Sequence, residues 1–239
     1  MSMRAMKRIL RTPGDLYNRF MLRREFLRQT ADPRGPNERP FEYSFAFMAL
    51  SLSRFQDVLD VGPGLSPWPS TLSLCGYHVT AVDEMKTYWG ENVINHHFHV
   101  IHDDITAPRI QQKFGIITCL STLEHIPRHV EAVSGMASLL KDEGIVILSF
   151  PYNERMYVYN VYDLPGAGYG QGSRFITQVF DRRTVDLWMK TTGLRLMQQR
   201  YFRCFTGDLW TFGKRLCPME EVSVDQPHHL AGIVLKKTI

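Results

Sequence analysis

The stretch Val58-Leu59-Asp60-Val61-Gly62-Pro63-Gly64-Leu65-Ser66 decides the fold. A run of branched aliphatic residues stops at two glycines set either side of a proline. Ser66 then offers a helix cap, and Pro67 and Pro69 fall in a first turn, where a missing N–H costs little. A short apolar strand, a sharp glycine turn and a helix start together open an α/β unit. In open sheets of this kind ligands bind beyond the carboxyl ends of the strands, so the glycines stand where a ligand would approach the backbone.

The elements on either side extend this opening. Upstream, Phe41, Phe45, Ala49 and Leu52 recur at helical spacing and predict a helix over Phe41–Leu52. Downstream, a helix is expected over Ser66–Cys75, then strands over His78–Val82 (ending at Asp83), Phe98–Ile101 and Phe114–Leu120. A helix over Val130–Leu140, a strand over Gly144–Phe150 and a helix over Asp181–Thr192 follow, the last capped by Asp181 and closed by Gly193. Strands over Leu194–Phe202 and Leu230–Lys236 end the series. The fold class expected is α/β: a doubly wound, mostly parallel seven-stranded sheet with helices on both faces. The final two strands have no helix between them, so the last strand should be antiparallel. Residues 151–180 are rich in Tyr and Gly and lack periodicity, and they are too long for a simple connection; they read as a functional insertion.

Residues 1–40 form an N-terminal helical extension, with a helix expected from about Asp15 to Gln29 and a Pro- and Gly-containing linker from Ala31 to Pro40. The domain proper is then 41–239. Of the 28 Lys+Arg, ten lie in residues 1–40, against four of the 24 Asp+Glu, so the net charge of +4 belongs to the arm. Such an arm can touch an anionic membrane surface or an acidic partner; the plainer reading is a solvated, arginine-rich helix. Hydrophobic residues make up 44% of the 239, enough for a core without staples. The four cysteines form no CxxC pair, and no apolar run or signal sequence is evident, so a cytoplasmic location is expected.

Asp60-Val61-Gly62-Pro63-Gly64 resembles the first motif of the class I S-adenosylmethionine-dependent methyltransferases, with Ser66 in place of that motif's third glycine. A dinucleotide site would show GxGxxG with no acid before it; Asp60 would repel a pyrophosphate and suits a ligand amino group. Further signals follow in the family's order. The resemblance implies S-adenosylmethionine as cofactor, with Asp83 accepting the ribose hydroxyls beside Glu84, and Asp104 (or Asp103) accepting from the adenine amino group with Ile105 against the ring. Leu120 and Ser121 would line the methionine end. The fourth-strand end, Leu120-Ser121-Thr122-Leu123-Glu124-His125, resembles that of small-molecule and quinone methyltransferases.

A hydroxyl acceptor must lose its proton around the moment of attack, and a histidine is suited to take it. His125, just past the strand end, is the candidate base; alternatively Glu124-His125 orders the loop. Some quinone enzymes of this type hold a metal with two glutamates and a histidine. Ser121 stands where one glutamate is needed, so no metal is expected. His96, His97, His99 and His102 read as surface residues.

The acceptor is expected among the N-terminal helices, the insertion and the segment before the last strand, with Tyr152, Asn153, Tyr169 and Trp210 as its binding residues. Aromatic faces mixed with amides suit a sugar or a phenol. The resemblance therefore implies O-methylation of a small-molecule or glycan acceptor in polysaccharide or secondary-metabolite biosynthesis. A nucleic-acid methyltransferase using the basic arm is disfavoured, because the amino-directed and carbon-5 motifs are missing. A non-catalytic cofactor-binding scaffold is the other alternative.

Overall fold

The computed structural model describes residues 17, 20–21, 36–84, 95 and 97–238. The chain divides into two compact units, Met1–Asn37 and Glu38–Ile239. In the first, Tyr17, Phe20 and Met21 are helical and exposed; the rest of the helix expected over Asp15–Gln29 lies outside the described residues. No helix among the described residues is long and apolar enough to cross a membrane.

The second unit is an eight-stranded sheet covered by helices. Its elements run α1 (Arg39–Leu50), β1 (Asp57–Val61), α2 (Trp68–Leu74), β2 (His78–Asp83), β3 (Val100–His102), β4 (Phe114–Leu120), α3 (His129–Leu139), β5 (Leu140–Pro151), α4 (Arg182–Thr192), β6 (Arg195–Phe205), β7 (Arg215–Val222) and β8 (Leu230–Lys236). The spatial order is β3-β2-β1-β4-β5-β8-β6-β7. The strands β1 to β5 pair in parallel, and β8 enters antiparallel between β5 and β6. All seven residues of β4 are buried, as befits a central strand covered on both faces. The chain leaves β1 toward β2 and β3 on one side, and β4 toward β5 on the other. The crevice beyond the ends of β1 and β4 is thus the topological switch point.

Two expectations need correction. The sheet has eight strands, not seven, because Arg215–Val222 pairs with β6 at the sheet edge. Its exposure and its Pro218 hide it from a pattern reading, since proline is tolerated only at such an edge. The linker also ends earlier than Pro40: α1 begins at Arg39 with a proline in its first turn. This shift matters, because it puts Arg39 on the same packed helix as Glu42. The α4 caps are as the residues indicate: Asp181 accepts from the Thr184 amide at 2.9 Å, and Gly193 closes the helix at φ +72°.

Candidate active site

A cavity of about 810 Å³ lies beyond the carboxyl ends of β1 to β4. Each turn that follows a strand contributes a wall. After β1 come Gly62, Gly64 and Ser66; after β2, Asp83 and Glu84; after β3, Asp103 through Thr106; after β4, Ser121, Thr122 and His125 through Arg128. Arg39 and Tyr43 of α1 close one side, and Arg174, Phe175 and Ile176 of the insertion add another wall.

The glycine turn is built for close approach. Gly62 has φ +71° and Gly64 φ +52°, a region that side chains disfavour. A Cβ on Gly62 would also fall 2.0 Å from the Thr122 side chain, whose hydroxyl donates to the Gly62 carbonyl at 2.8 Å. Ser66 Oγ accepts from the Trp68 amide at 3.1 Å and bonds to the Tyr43 hydroxyl at 2.8 Å. Pro67 and Pro69 carry no amide hydrogen, and Trp68 spends its own on Ser66. The start of α2 therefore offers little to a phosphate.

Asp83 Oδ2 accepts from the Gly64 amide at 2.8 Å, which fixes the carboxylate against the glycine turn. Burial raises its pKa above the ordinary aspartate value, partly opposed by that amide. Of the Asp103-Asp104 doublet, Asp103 is occupied with its own loop: it accepts from the amides of Asp104, Arg109 and Ile110 and from Arg109 Nε at 3.1 Å. Burial pushes its pKa up, but these bonds outweigh it and hold the group below the ordinary value. Asp104 is the more open of the two. It pairs with Arg128 at 3.3 Å and accepts from the Thr106 amide, while Ile105 beside it adds an apolar face to the cavity.

Asp60 does not line the cavity. It lies under the glycine turn, 2% exposed, with Oδ1 accepting from Thr118 Oγ1 at 2.6 Å and Oδ2 without a partner. Burial raises its pKa to about 7. Leu120 likewise sits behind the wall; its carbonyl accepts from Arg39 Nη1 at 3.3 Å. Ser121 takes φ +45°, with its amide bonded to the Ser149 carbonyl and its hydroxyl to Glu42. Glu42, 1% exposed, also accepts from Ser149 Oγ at 2.7 Å and pairs with Arg39 at 3.0 Å. This buried carboxylate ties α1 to the ends of β4 and β5 and holds Arg39 at the cavity.

His125 lies on a short 3₁₀ turn (Leu123–His125) with 19% of its side chain exposed. Burial is the main reason its pKa falls to about 4, and the positive field of Arg39 acts in the same direction. Its Nδ1 lies 2.7 Å from the Ile176 carbonyl, which can only accept, so Nδ1 carries the proton and Nε2 the lone pair. The insertion thus sets the tautomer. Gln178, fully buried, holds the same turn by donating to the carbonyls of Glu124 and Ile126. Glu124 points inward; burial raises its pKa well above the ordinary value, and its Oε1 is 3.9 Å from His125 Nε2, beyond hydrogen-bond reach. Among the described residues no group of three or more His, Cys, Asp or Glu is arranged to hold a metal.

The four aromatic and amide candidates for the acceptor, Tyr152, Asn153, Tyr169 and Trp210, are not among the described residues that line this cavity. Tyr152 is fully buried, stacked on His228, with its hydroxyl on Glu154. Asn153 caps a turn at Arg155 and Met156. Tyr169 accepts from Arg215 Nη2 at 3.1 Å, and Trp210 packs edge-on against Phe205. Tyr152 and Tyr169 tie the insertion to the C-terminal segment, because large aromatic faces are a means of burying an irregular segment. The insertion residues that do reach the cavity, Arg174 to Ile176, gave no pattern signal. Arg39, Tyr43 and Arg128 also went unread, since only the fold brings them there.

Residues 23–199 match a protein family described as a methyltransferase domain. The chain belongs to the class I S-adenosylmethionine-dependent methyltransferases. Ubiquinone biosynthesis O-methyltransferase of Coxiella burnetii is 28% identical over 152 residues, 59% of this chain and 64% of that protein. The Rickettsia conorii enzyme of the same name is 24% identical over 130 residues, 52% and 44% of the two chains. The chain thus spans less than two thirds of the length of either relative. Among solved structures, an S-adenosylmethionine-dependent methyltransferase from Clostridium acetobutylicum superposes with TM-score 0.51 at 14% identity, covering 94% of this chain and 100% of that one. The 1,6-didemethyltoxoflavin-N1-methyltransferase of Burkholderia thailandensis gives TM-score 0.53 at 16% identity, with 96% and 92% covered. At these identities the structures establish the same fold for this methyltransferase. The cofactor of the family is S-adenosylmethionine, and the site fits it: a glycine turn that a side chain would obstruct, a fixed carboxylate beside it, and an unpartnered buried oxygen on Asp60 below.

Proposed function

We propose that this methyltransferase methylates a hydroxyl oxygen of a small ring-bearing acceptor, a phenol or a sugar, with His125 as the proton acceptor. The observation that carries this reading is the tautomer of His125. With Nδ1–H committed to the Ile176 carbonyl, the ring lone pair lies on Nε2, and His125 lines the cofactor cavity. When bound, the cofactor supplies a methyl group on a sulfonium, ready for in-line displacement. The chain's own task is mainly positioning. Asp83 would take the ribose hydroxyls, Asp104 the adenine amino group and Ile105 one face of the ring. Arg39, held by Glu42 and the Leu120 carbonyl, would take the methionine carboxylate. Asp60 would act on the ligand's positive charge through its field rather than by contact. His125 Nε2 would take the acceptor's hydroxyl proton as that oxygen is methylated, with the carbon–sulfur electron pair left on sulfur. The likeness to ubiquinone biosynthesis O-methyltransferases supports oxygen as the acceptor atom.

The test supplies methyl-labelled cofactor to the full chain with matched hydroxyl and amino acceptors, catechols and sugars against anilines and amino sugars. Product mass and carbon-13 shift are then read. A methyl ether as the dominant product, with a dependence on His125, supports the reading. Methylation confined to nitrogen overturns it.

A further inference from the structure

The cavity wall carries its charges in two separate groups. Among the described residues its four acids, Asp83, Glu84, Asp103 and Asp104, all stand at the ends of β2 and β3. Among the described residues, the wall formed by His125 and the insertion has a cation and no acid. Of the three arginines that reach the cavity, Arg39 is paired with Glu42 at 3.0 Å and Arg128 with Asp104 at 3.3 Å. Arg174 is exposed and has no ion pair or hydrogen bond among the described residues. Phe175 follows it directly, with its ring 4.7 Å from the His125 ring and edge-on to it. The Ile176 carbonyl, one residue further, orients that histidine. One short segment thus brings a free guanidinium, an apolar ring and the partner that sets the base to the same wall.

We infer that the acceptor is a small hydroxylated anion. Its carboxylate or phosphate pairs with Arg174, its ring lies beside Phe175, and its hydroxyl faces His125. This rests on the function proposed above and adds the charge class of the substrate. A planar guanidinium matches either anionic group through paired N–H donors. The donor's own carboxylate does not need Arg174, because Arg39 stands at the β4 end, where that carboxylate would lie.

The test uses the full chain saturated with S-adenosylhomocysteine and measures binding of paired probes: 3,4-dihydroxybenzoate with its methyl ester, glucuronic acid with glucose, and 4-hydroxyphenyl phosphate with hydroquinone. The anionic member of at least one pair should bind more tightly by about three- to tenfold, the range between an exposed ion pair and a charge-assisted hydrogen bond. The pair that responds separates carboxylate from phosphate. Arg174→Gln should abolish that preference with the neutral probes unchanged, and Arg174→Lys should restore part of it. Arg174 is exposed, so neither variant threatens folding. Equal binding within every pair, no binding of any probe, or a preference that survives Arg174→Gln overturns the proposal. So does a loss of S-adenosylhomocysteine affinity in Arg174→Gln, which would assign the residue to the donor. Absence of S-adenosylhomocysteine binding in the unaltered chain would instead sink the parent reading.

Discussion

The two sides of the cavity are built on opposite principles. On the cofactor side, each functional residue sits in the turn after a strand, so its place in the chain is already its place in space. Gly62, Asp83, Asp104 and Ser121 reach the wall because β1 to β4 are parallel and end at the same rim. On the insertion side, the conspicuous residues are structural and the inconspicuous ones face the cavity. Tyr152, Tyr169 and Trp210 are used up in packing, while the wall is made by Arg174, Phe175 and a backbone carbonyl. A regular scaffold presents side chains by position; an irregular one must first bury itself.

Four substitutions would break or sharpen this contrast. The largest effect is expected from His125→Ala, which should slow methyl transfer by about 10²-fold or more while leaving S-adenosylhomocysteine binding intact. Normal turnover in single-turnover assays would remove His125 from the chemistry. Because burial holds its pKa near about 4, the unaltered enzyme should keep a flat rate from pH 8 down to about pH 5 in this respect and lose activity only below. An inflection near the ordinary histidine value would show the base to be solvated.

Asp83→Ala comes next. Losing charge-assisted bonds to the ribose should weaken cofactor binding by roughly 10- to 100-fold in calorimetry. Unchanged affinity would sink the ribose assignment and with it the claim that this side is legible by position.

Asp60→Asn should have a smaller but diagnostic effect. With the carboxyl near pKa 7, a cationic ligand should lower that value and release up to about half a proton at pH 7. Calorimetry in buffers of different ionisation enthalpy reads this release, and the asparagine variant should show none. The stability sign follows from the same shift. Between about pH 4 and 7 the folded chain holds the Asp60 proton that the unfolded chain has lost, so this group's stability falls as pH rises through that window. Urea titrations should find that slope reduced in Asp60→Asn; an unchanged slope would show Asp60 ionised in the folded state.

The smallest catalytic effect belongs to Tyr169→Phe. It loses a bond to Arg215 and should cost stability of about 1 kcal/mol, with KM for any acceptor unchanged within about twofold. A large KM rise would return Tyr169 to the acceptor site.

The amino-acid sequence by itself determined the alternation of strands and helices, the glycine turn at residues 62–64 and the order of the acids that follow it. These are local facts, set by periodicity and by backbone conformations that only a few residues adopt. It also placed His125 at the fourth strand end. It did not contain β7, whose exposed edge position and proline leave no alternation to read. Only the tertiary structure decided that Asp60 lies beneath the glycine turn, that Asp103 serves its own loop while Asp104 stays open, and that Glu42 joins α1 to two strand ends. The tautomer of His125 was likewise beyond any pattern, since it is fixed by a carbonyl fifty-one residues away. Burial and long-range hydrogen bonds depend on which segments meet, and no spacing along the chain encodes that.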